Sequence, residues 1–169
     1  MNATTYHAGP PEPLAIHVRL AGQDDIAFVS NSWLKSYRDA DAVAGCPNRV
    51  YFPWQHRVLE RLIPRAALLV ACLDSDPSKI AGWCCYERQS GAIVLHYVYV
   101  KGKHRRLGLA RQMIEMVRDA EAVPTVFFTH RTPVVDRLPL GPEWIYHPFL
   151  AHDEGAAAAP PAAPAPPPL

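Results

Sequence analysis

Between Val98 and Ala110 the sequence reads Val-Tyr-Val-Lys-Gly-Lys-His-Arg-Arg-Leu-Gly-Leu-Ala. An apolar, alternating run passes through a basic turn containing glycine and continues as a helical pattern. The first backbone N–H groups of a helix have no intrahelical partner, and the helix dipole adds partial positive charge there, so such a turn attracts phosphate oxygens. Gly108 lets backbone approach an anion with no Cβ in the way. From Arg88 to Ile114 there are six basic residues, Arg88, Lys101, Lys103, Arg105, Arg106 and Arg111, and no acid, in a chain whose net charge is only +1. A ligand carrying phosphate is the expectation. The turn lacks the Gly-Lys-Ser/Thr ending of a P-loop and the chain lacks a GxGxxG fingerprint, so ATP hydrolysis and dinucleotide binding lose their usual support.

Side chains able to move protons lie on either side of this turn in sequence: Glu87, His96, Tyr97, His130 and Tyr146. No motif isolates one of them. Strict alternation through Leu95, Tyr97 and Tyr99 against His96, Val98 and Val100 places His96 on the face of Val98 and Val100. His96, His130 and Tyr146 are therefore the candidates for acid–base work. The competing reading of either histidine is a hydrogen-bonded core residue.

The elements that must position these groups follow from periodicity. Ile16–Leu20 alternates as a half-buried strand, and Gln23-Asp24-Asp25 offers a capping oxygen before Ile26, Val29, Trp33 and Tyr37 recur at helical spacing. A second helix is expected over Tyr51–Ile63, ended by Pro64. Strands are expected at Ala66–Leu73, Ile80–Glu87 and Ala92–Val100, with connections short enough for antiparallel hairpins. A third helix is expected from about Leu107 to Ala122, with Ala110, Met113, Ile114 and Val117 inward. A strand at Thr125–Thr129 can then lie parallel to the one before the helix. Trp144–Leu150 is a last apolar run. This is an α+β chain with a mixed, mostly antiparallel sheet and one parallel β-α-β unit.

Composition narrows the class further. The chain has 169 residues, 49% of them apolar, which suits one globular domain. No run of 18 apolar residues occurs, so a spanning helix is not expected, and residues 1–13 lack the basic flank and apolar stretch of a secretory signal. A cytoplasmic protein with no membrane partner is the expectation. Cys46, Cys72, Cys84 and Cys85 show no CxxC pair or zinc spacing, so reduced structural thiols and no metal are expected. Half of the 18 prolines lie at Pro10, Pro11, Pro13 and in six positions from Pro160 to Pro168. These mark residues 1–13 as a flexible start and 155–169 as a disordered Ala/Pro-rich tail around a domain spanning 14–154.

Arg105-Arg106-Leu107-Gly108-Leu109-Ala110 resembles the Gln/Arg-x-x-Gly-x-Gly/Ala motif of the GNAT superfamily of acyl-CoA-dependent N-acyltransferases. The strand before it, the helix after it and the upstream β-α-α-β-β order are also that superfamily's, and the resemblance covers roughly residues 14–130. It implies that the amides of Arg106, Leu107, Gly108, Leu109 and Ala110 hold the pyrophosphate of acetyl-CoA, with Arg105 near its phosphates. It further implies that the backbone of Val98 and Val100 pairs with the pantetheine arm where the fourth and fifth strands splay apart. An amide at that edge would stabilise the tetrahedral oxyanion, and the acceptor amine would attack directly. The family usually places another helix after the fifth strand, often with a tyrosine acid. Residues 131–143 contain Pro133, Pro139, Gly141 and Pro142, which a long helix does not accommodate, so that role is not transferred, and Tyr146 is a substitute candidate. Two other readings stay open: a GNAT fold that binds a CoA ester or a partner without chemistry, and a protein acting on nucleic acid through the basic turn. The second is disfavoured by the near-neutral charge. The aromatic group Trp33, Tyr37, Tyr51, Phe52 and Trp54 is either core or the wall of an acceptor pocket.

Overall fold

A computed structural model describes residues 15–89 and 91–152. The assignments of residues 1–13 as flexible and of 155–169 as a disordered tail lie outside them. Six strands, β1 (Ile16–Leu20), β2 (Ala67–Leu73), β3 (Asp76–Gln89), β4 (Ala92–Val100), β5 (Thr125–Phe128) and β6 (Trp144–Tyr146), form one sheet in sequential order. β1 to β4 are antiparallel neighbours, and β4–β5 and β5–β6 pair in parallel. Helices α1 (Ile26–Tyr37) and α2 (Asn48–Leu62) lie on one face and α3 (Leu109–Glu121) on the other.

Each strand sends alternate side chains into two cores. Towards α1 and α2 go Leu68, Val70, Cys72, Trp83, Cys85 and Tyr97, which meet Val29, Trp33, Tyr51, Leu59 and Leu62. Trp33 is the centre of this layer, its ring 5.1 Å from Trp83 and 5.2 Å from Tyr97. Aromatic payload of this kind, buried from solvent, carries much of the stabilisation on that side. Towards α3 go Leu69, Ala71, Cys84, Tyr86, Ile93, Leu95 and Val126, covered by Met113 and Val117. Leu109, Met113 and Val117, four residues apart, are the buried line of α3, with Ile114 beside it.

Several local expectations change. Asp25 does not cap α1; its Oδ2 accepts from the Gly22 N–H at 2.7 Å and from Arg19 Nη1 at 2.6 Å. The cation of Arg19 holds this carboxyl below its ordinary range, and the pair ties β1 to the start of α1. α2 begins three residues before the expected start, with Pro53 inside it. β3 starts at Asp76, so the β2–β3 turn is only Asp74-Ser75. β6 is three residues long, and a 3₁₀ turn takes Pro148–Ala151. Residues 131–143 hold no α-helix, only a 3₁₀ turn at Val135–Arg137, in keeping with their prolines.

The most consequential change is in β4. Cys85 pairs with Tyr97 and Tyr86 with Leu95, so His96 is an extra residue, a β-bulge. Alternation resets there. Ile93 and Leu95 before the bulge, and Val98 and Val100 after it, all face α3, whereas His96 turns to the opposite face, with Tyr97. The expected sharing of a face by His96, Val98 and Val100 is thus overturned.

β3 and β4 approach closely beyond the bulge. A Cβ built on Gly82 would lie 2.7 Å from the Tyr99 carbonyl oxygen and 3.4 Å from the Met113 methyl. Gly82→Ala should therefore lower stability by about 1–3 kcal/mol, as overpacking against backbone does. Urea unfolding checks this, and an unchanged midpoint would contradict the close approach.

Candidate functional site

β4 and β5 pair from Ala92–Thr125 to Leu95–Phe128, and the Thr129 N–H makes the last bond, 3.2 Å to the Leu95 carbonyl. Beyond it β5 leaves the sheet while β4 continues to Val100. The Lys101 N–H bonds the Ala81 carbonyl on β3 at 2.8 Å. Peptide groups alternate in direction along a strand, so those of Val98 and Val100 point away from β3, into the opening that β5 vacates. The expected splay is present, and among the described residues no backbone partner meets β4 along it.

This edge leads into the basic turn. Lys101 is followed by a 3₁₀ turn at Gly102–His104, then by Arg106 at φ 65° and Gly108 at φ 78°. Two left-handed residues bend the chain so that α3 starts abruptly. Gly108 caps α3 without a side-chain bond, and the first N–H of the turn to find an intrahelical partner is that of Gln112, at 2.9 Å from the Gly108 carbonyl. The amides of Leu109, Ala110 and Arg111 are thus free donors at the positive end of a 13-residue helix whose first turn holds no acid. A Cβ on Gly108 would meet nothing within 4 Å. Conformation, rather than crowding in the chain itself, calls for glycine here.

The basic side chains are not equivalent. Arg105 Nε donates to the Val100 carbonyl at 3.1 Å, bracing the turn against the strand end. Arg111 pairs with Glu115 at 2.7 Å. Lys101 Nζ sits 4.4 Å from the centre of the Phe28 ring, and burial, then Lys103, lowers its pKa. Arg88 belongs to the far end of β3 and pairs with Glu121 at the end of α3, so it leaves the cluster.

On the α1/α2 face, a chain of polar groups crosses the root of the splay. Arg65 Nε lies 2.8 Å from Glu87 Oε1, an ion contact without hydrogen-bond alignment. Glu87 Oε1 is 3.0 Å from His96 Nε2, His96 Nδ1 is 3.1 Å from Thr129 Oγ1, and Thr129 Oγ1 is 2.8 Å from His130 Nδ1. His96 is 1% exposed and His130 7%. Burial is the main cause that lowers both imidazoles, His130 to about 3, which keeps it neutral, with His96 and His152 acting in the same direction. Around His130 stand Tyr37, Trp33 and Tyr97, with ring centres at 4.6, 5.3 and 5.7 Å.

Of the sequence candidates, His96 and His130 come together, and Glu87 joins them. Tyr97 is core: its hydroxyl donates to Ser36 Oγ at 3.1 Å, and burial raises its pKa. Tyr146 lies half-exposed on β6, its ring 5.3 Å from Phe128, outside the bonded chain. Trp33, Tyr37 and Tyr51 are buried, while Phe52 and Trp54 are exposed, so the aromatic group divides. Thr129 and Arg65 were not expected. A lone hydroxyl after a strand and an arginine after a helix carry no sequence signal of such a role.

Residues 29–123 match the model of the Acetyltransferase (GNAT) family, and the chain belongs to that family. No curated protein matches it. Among solved structures, the fold is similar to that of PaiA N-acetyltransferase from Thermoplasma acidophilum in complex with coenzyme A. The two share 12% identity over 72% of this chain and 84% of that one, with a TM-score of 0.52. A GNAT-family acetyltransferase from Staphylococcus aureus gives 10% identity over 72% and 77% of the two chains, with a TM-score of 0.50. One from Brucella melitensis, in complex with acetyl-CoA, gives 15% over 74% and 82%, with a TM-score of 0.49.

The buried histidines make stability depend on pH. His130 has an ordinary value of 6.5 and a folded value of about 3, so below pH 6.5 the unfolded chain binds a proton that the folded one does not. Stability should therefore fall as pH drops from 6.5 towards 5, approaching about 1.4 kcal/mol per pH unit for each such group. His130→Gln should flatten this dependence in urea titrations at pH 7 and pH 5, and an unchanged slope would show that His130 is not held neutral.

Proposed function

We propose that the protein is an N-acetyltransferase that passes the acetyl group of acetyl-CoA to an amine by direct attack. The observation that carries this is the free N-terminus of α3, open at Gly108, adjoining the unpaired edge of β4. A CoA ester has matching parts: a pyrophosphate for the amides from Arg106 to Ala110, and a pantetheine arm with amides for Val98 and Val100. The pyrophosphate gains from the helix dipole and from Arg105, Arg106 and Lys103 around the turn. The arm, bonded as an extra strand segment, would bring its thioester towards the bulge at His96. There the nitrogen–carbon bond forms as the carbon–sulfur bond breaks, and the CoA thiolate leaves.

The acceptor would approach His130 at the root of the splay, where β5 leaves β4. His96 and His130 are the candidate groups for handling the proton in this reading. Tyr146, half-exposed on β6 and outside the bonded chain, is the second candidate, as a proton donor to the departing thiolate. The four free thiols support a reducing compartment, and the cytoplasm is the reading adopted.

Titration calorimetry with acetyl-CoA tests the proposal. Binding is expected for the parent protein, and Gly108→Glu, which adds a negative charge at the helix N-terminus and strains a left-handed residue, should weaken it by at least 10-fold, about 1.4 kcal/mol. Thiol release over a panel of amines separates an enzyme from a silent fold. No binding by the parent, or equal binding by the variant, would overturn the site.

A further inference from the structure

We infer that the chain Glu87–His96–Thr129–His130 fixes the tautomer of His130, with hydrogen on Nδ1 and a bare lone pair on Nε2, so that Nε2 is the atom that takes the proton of the attacking amine. This rests on the acyltransferase reading for the amine and on geometry alone for the tautomer.

The argument runs outward from the carboxylate. Glu87, in ion contact with Arg65, can only accept, so His96 must carry its hydrogen on Nε2, 3.0 Å away. A neutral imidazole has one donor and one acceptor, so His96 Nδ1 is then an acceptor. Its partner at 3.1 Å, the Thr129 hydroxyl, must donate to it. That hydroxyl has two alternative acceptors, His130 Nδ1 at 2.8 Å and the His96 carbonyl at 3.4 Å, and choosing either would set two lone pairs face to face at His96 Nδ1. With its hydrogen committed, Thr129 Oγ1 accepts at 2.8 Å from His130 Nδ1, which must therefore carry the hydrogen. Nε2 of His130 is left unprotonated. One partly buried charge orders the protons of the three side chains beyond it.

This order suits the chemistry. As the amine nitrogen bonds to the thioester carbon and the CoA thiolate departs, one proton leaves that nitrogen for His130 Nε2, and solvent or the thiolate later takes it back. An isolated imidazole in this aromatic setting would resist charge. The hydrogen-bonded chain lets the Glu87 carboxylate polarise towards the imidazolium as it forms. His130 is the catalytic residue in this scheme, and Glu87, His96 and Thr129 are positioning residues.

Thr129→Val keeps the shape and removes the hydroxyl, and Thr129→Ser restores it. Nitrogen-15 spectra of labelled histidine should show His130 as the Nδ1–H tautomer and His96 as the Nε2–H tautomer in the parent and in Thr129→Ser. In Thr129→Val the His130 pattern should shift towards mixed tautomers. With acetyl-CoA and the most active primary amine, Thr129→Val should lose about 10²-fold in kcat, with the KM for acetyl-CoA little changed, and Thr129→Ser should recover most of the loss. Hydrogen on Nε2 of His130 in the parent, or full turnover by Thr129→Val, would overturn the inference. A parent protein that turns over no amine would defeat the acyltransferase reading instead, and the tautomer spectra would still decide whether the chain orders His130.

Discussion

One extra residue in β4 sets the geometry of everything around it. A β-bulge reverses two alternations together, the face each side chain takes and the edge to which each peptide group points. Before His96, β4 shares hydrogen bonds with β5; after it, β5 has gone and Val98 and Val100 turn their peptides into the gap. Peptide groups left unpaired in an apolar setting are costly, so such an edge persists where water or a ligand can satisfy it. The bulge also faces His96 towards Glu87, without which the buried imidazole would lack its acceptor.

The two faces of the sheet then divide the work. On the α3 side the field is positive, from free helix amides and a cluster of bases carrying no acid in the first helical turn. On the α1/α2 side, around His130, uncharged histidines are enclosed by rings and the Glu87 carboxylate is matched by the Arg65 guanidinium. In the proposed reaction, a charged carrier at the first and an amine deprotonated near the second would need this separation. Cations beside His130 would lower its proton affinity further, and acids beside Gly108 would repel phosphate.

Much of the frame was legible because periodicity and punctuation agree. β4 starts and stops where its apolar run does, α3 follows a basic turn with glycine, and the prolines of 131–143 exclude a long helix there. What was hidden depends on contacts between distant residues. The bulge is invisible because Leu-His-Tyr-Val alternates acceptably in either register; only the length of β3 opposite, and the place where β5 departs, decide it. Asp25 reads as a cap by position, yet Arg19, six residues earlier in the chain, offers a stronger charge-assisted partner. Thr129 is one hydroxyl among many until the fold sets it between two imidazoles.

The segment after β5 shows how a local prohibition reshapes the site. With no helix available between 131 and 143, the chain still crosses back to add β6 parallel to β5, and it does so through a 3₁₀ turn and extended backbone. The resulting edge strand is only three residues long, which limits its use as a template for pairing with other chains. A short, half-exposed strand is also a poor platform for a group that must be held within fractions of an ångström of a reacting atom. β4 and the end of β5 are better ones, since packing against Trp33, Tyr37 and Tyr97 fixes His130, and bonds to Glu87 and Thr129 fix His96. With no helix at the sheet edge, the polar groups held most firmly are those at the centre, which the bulge has gathered.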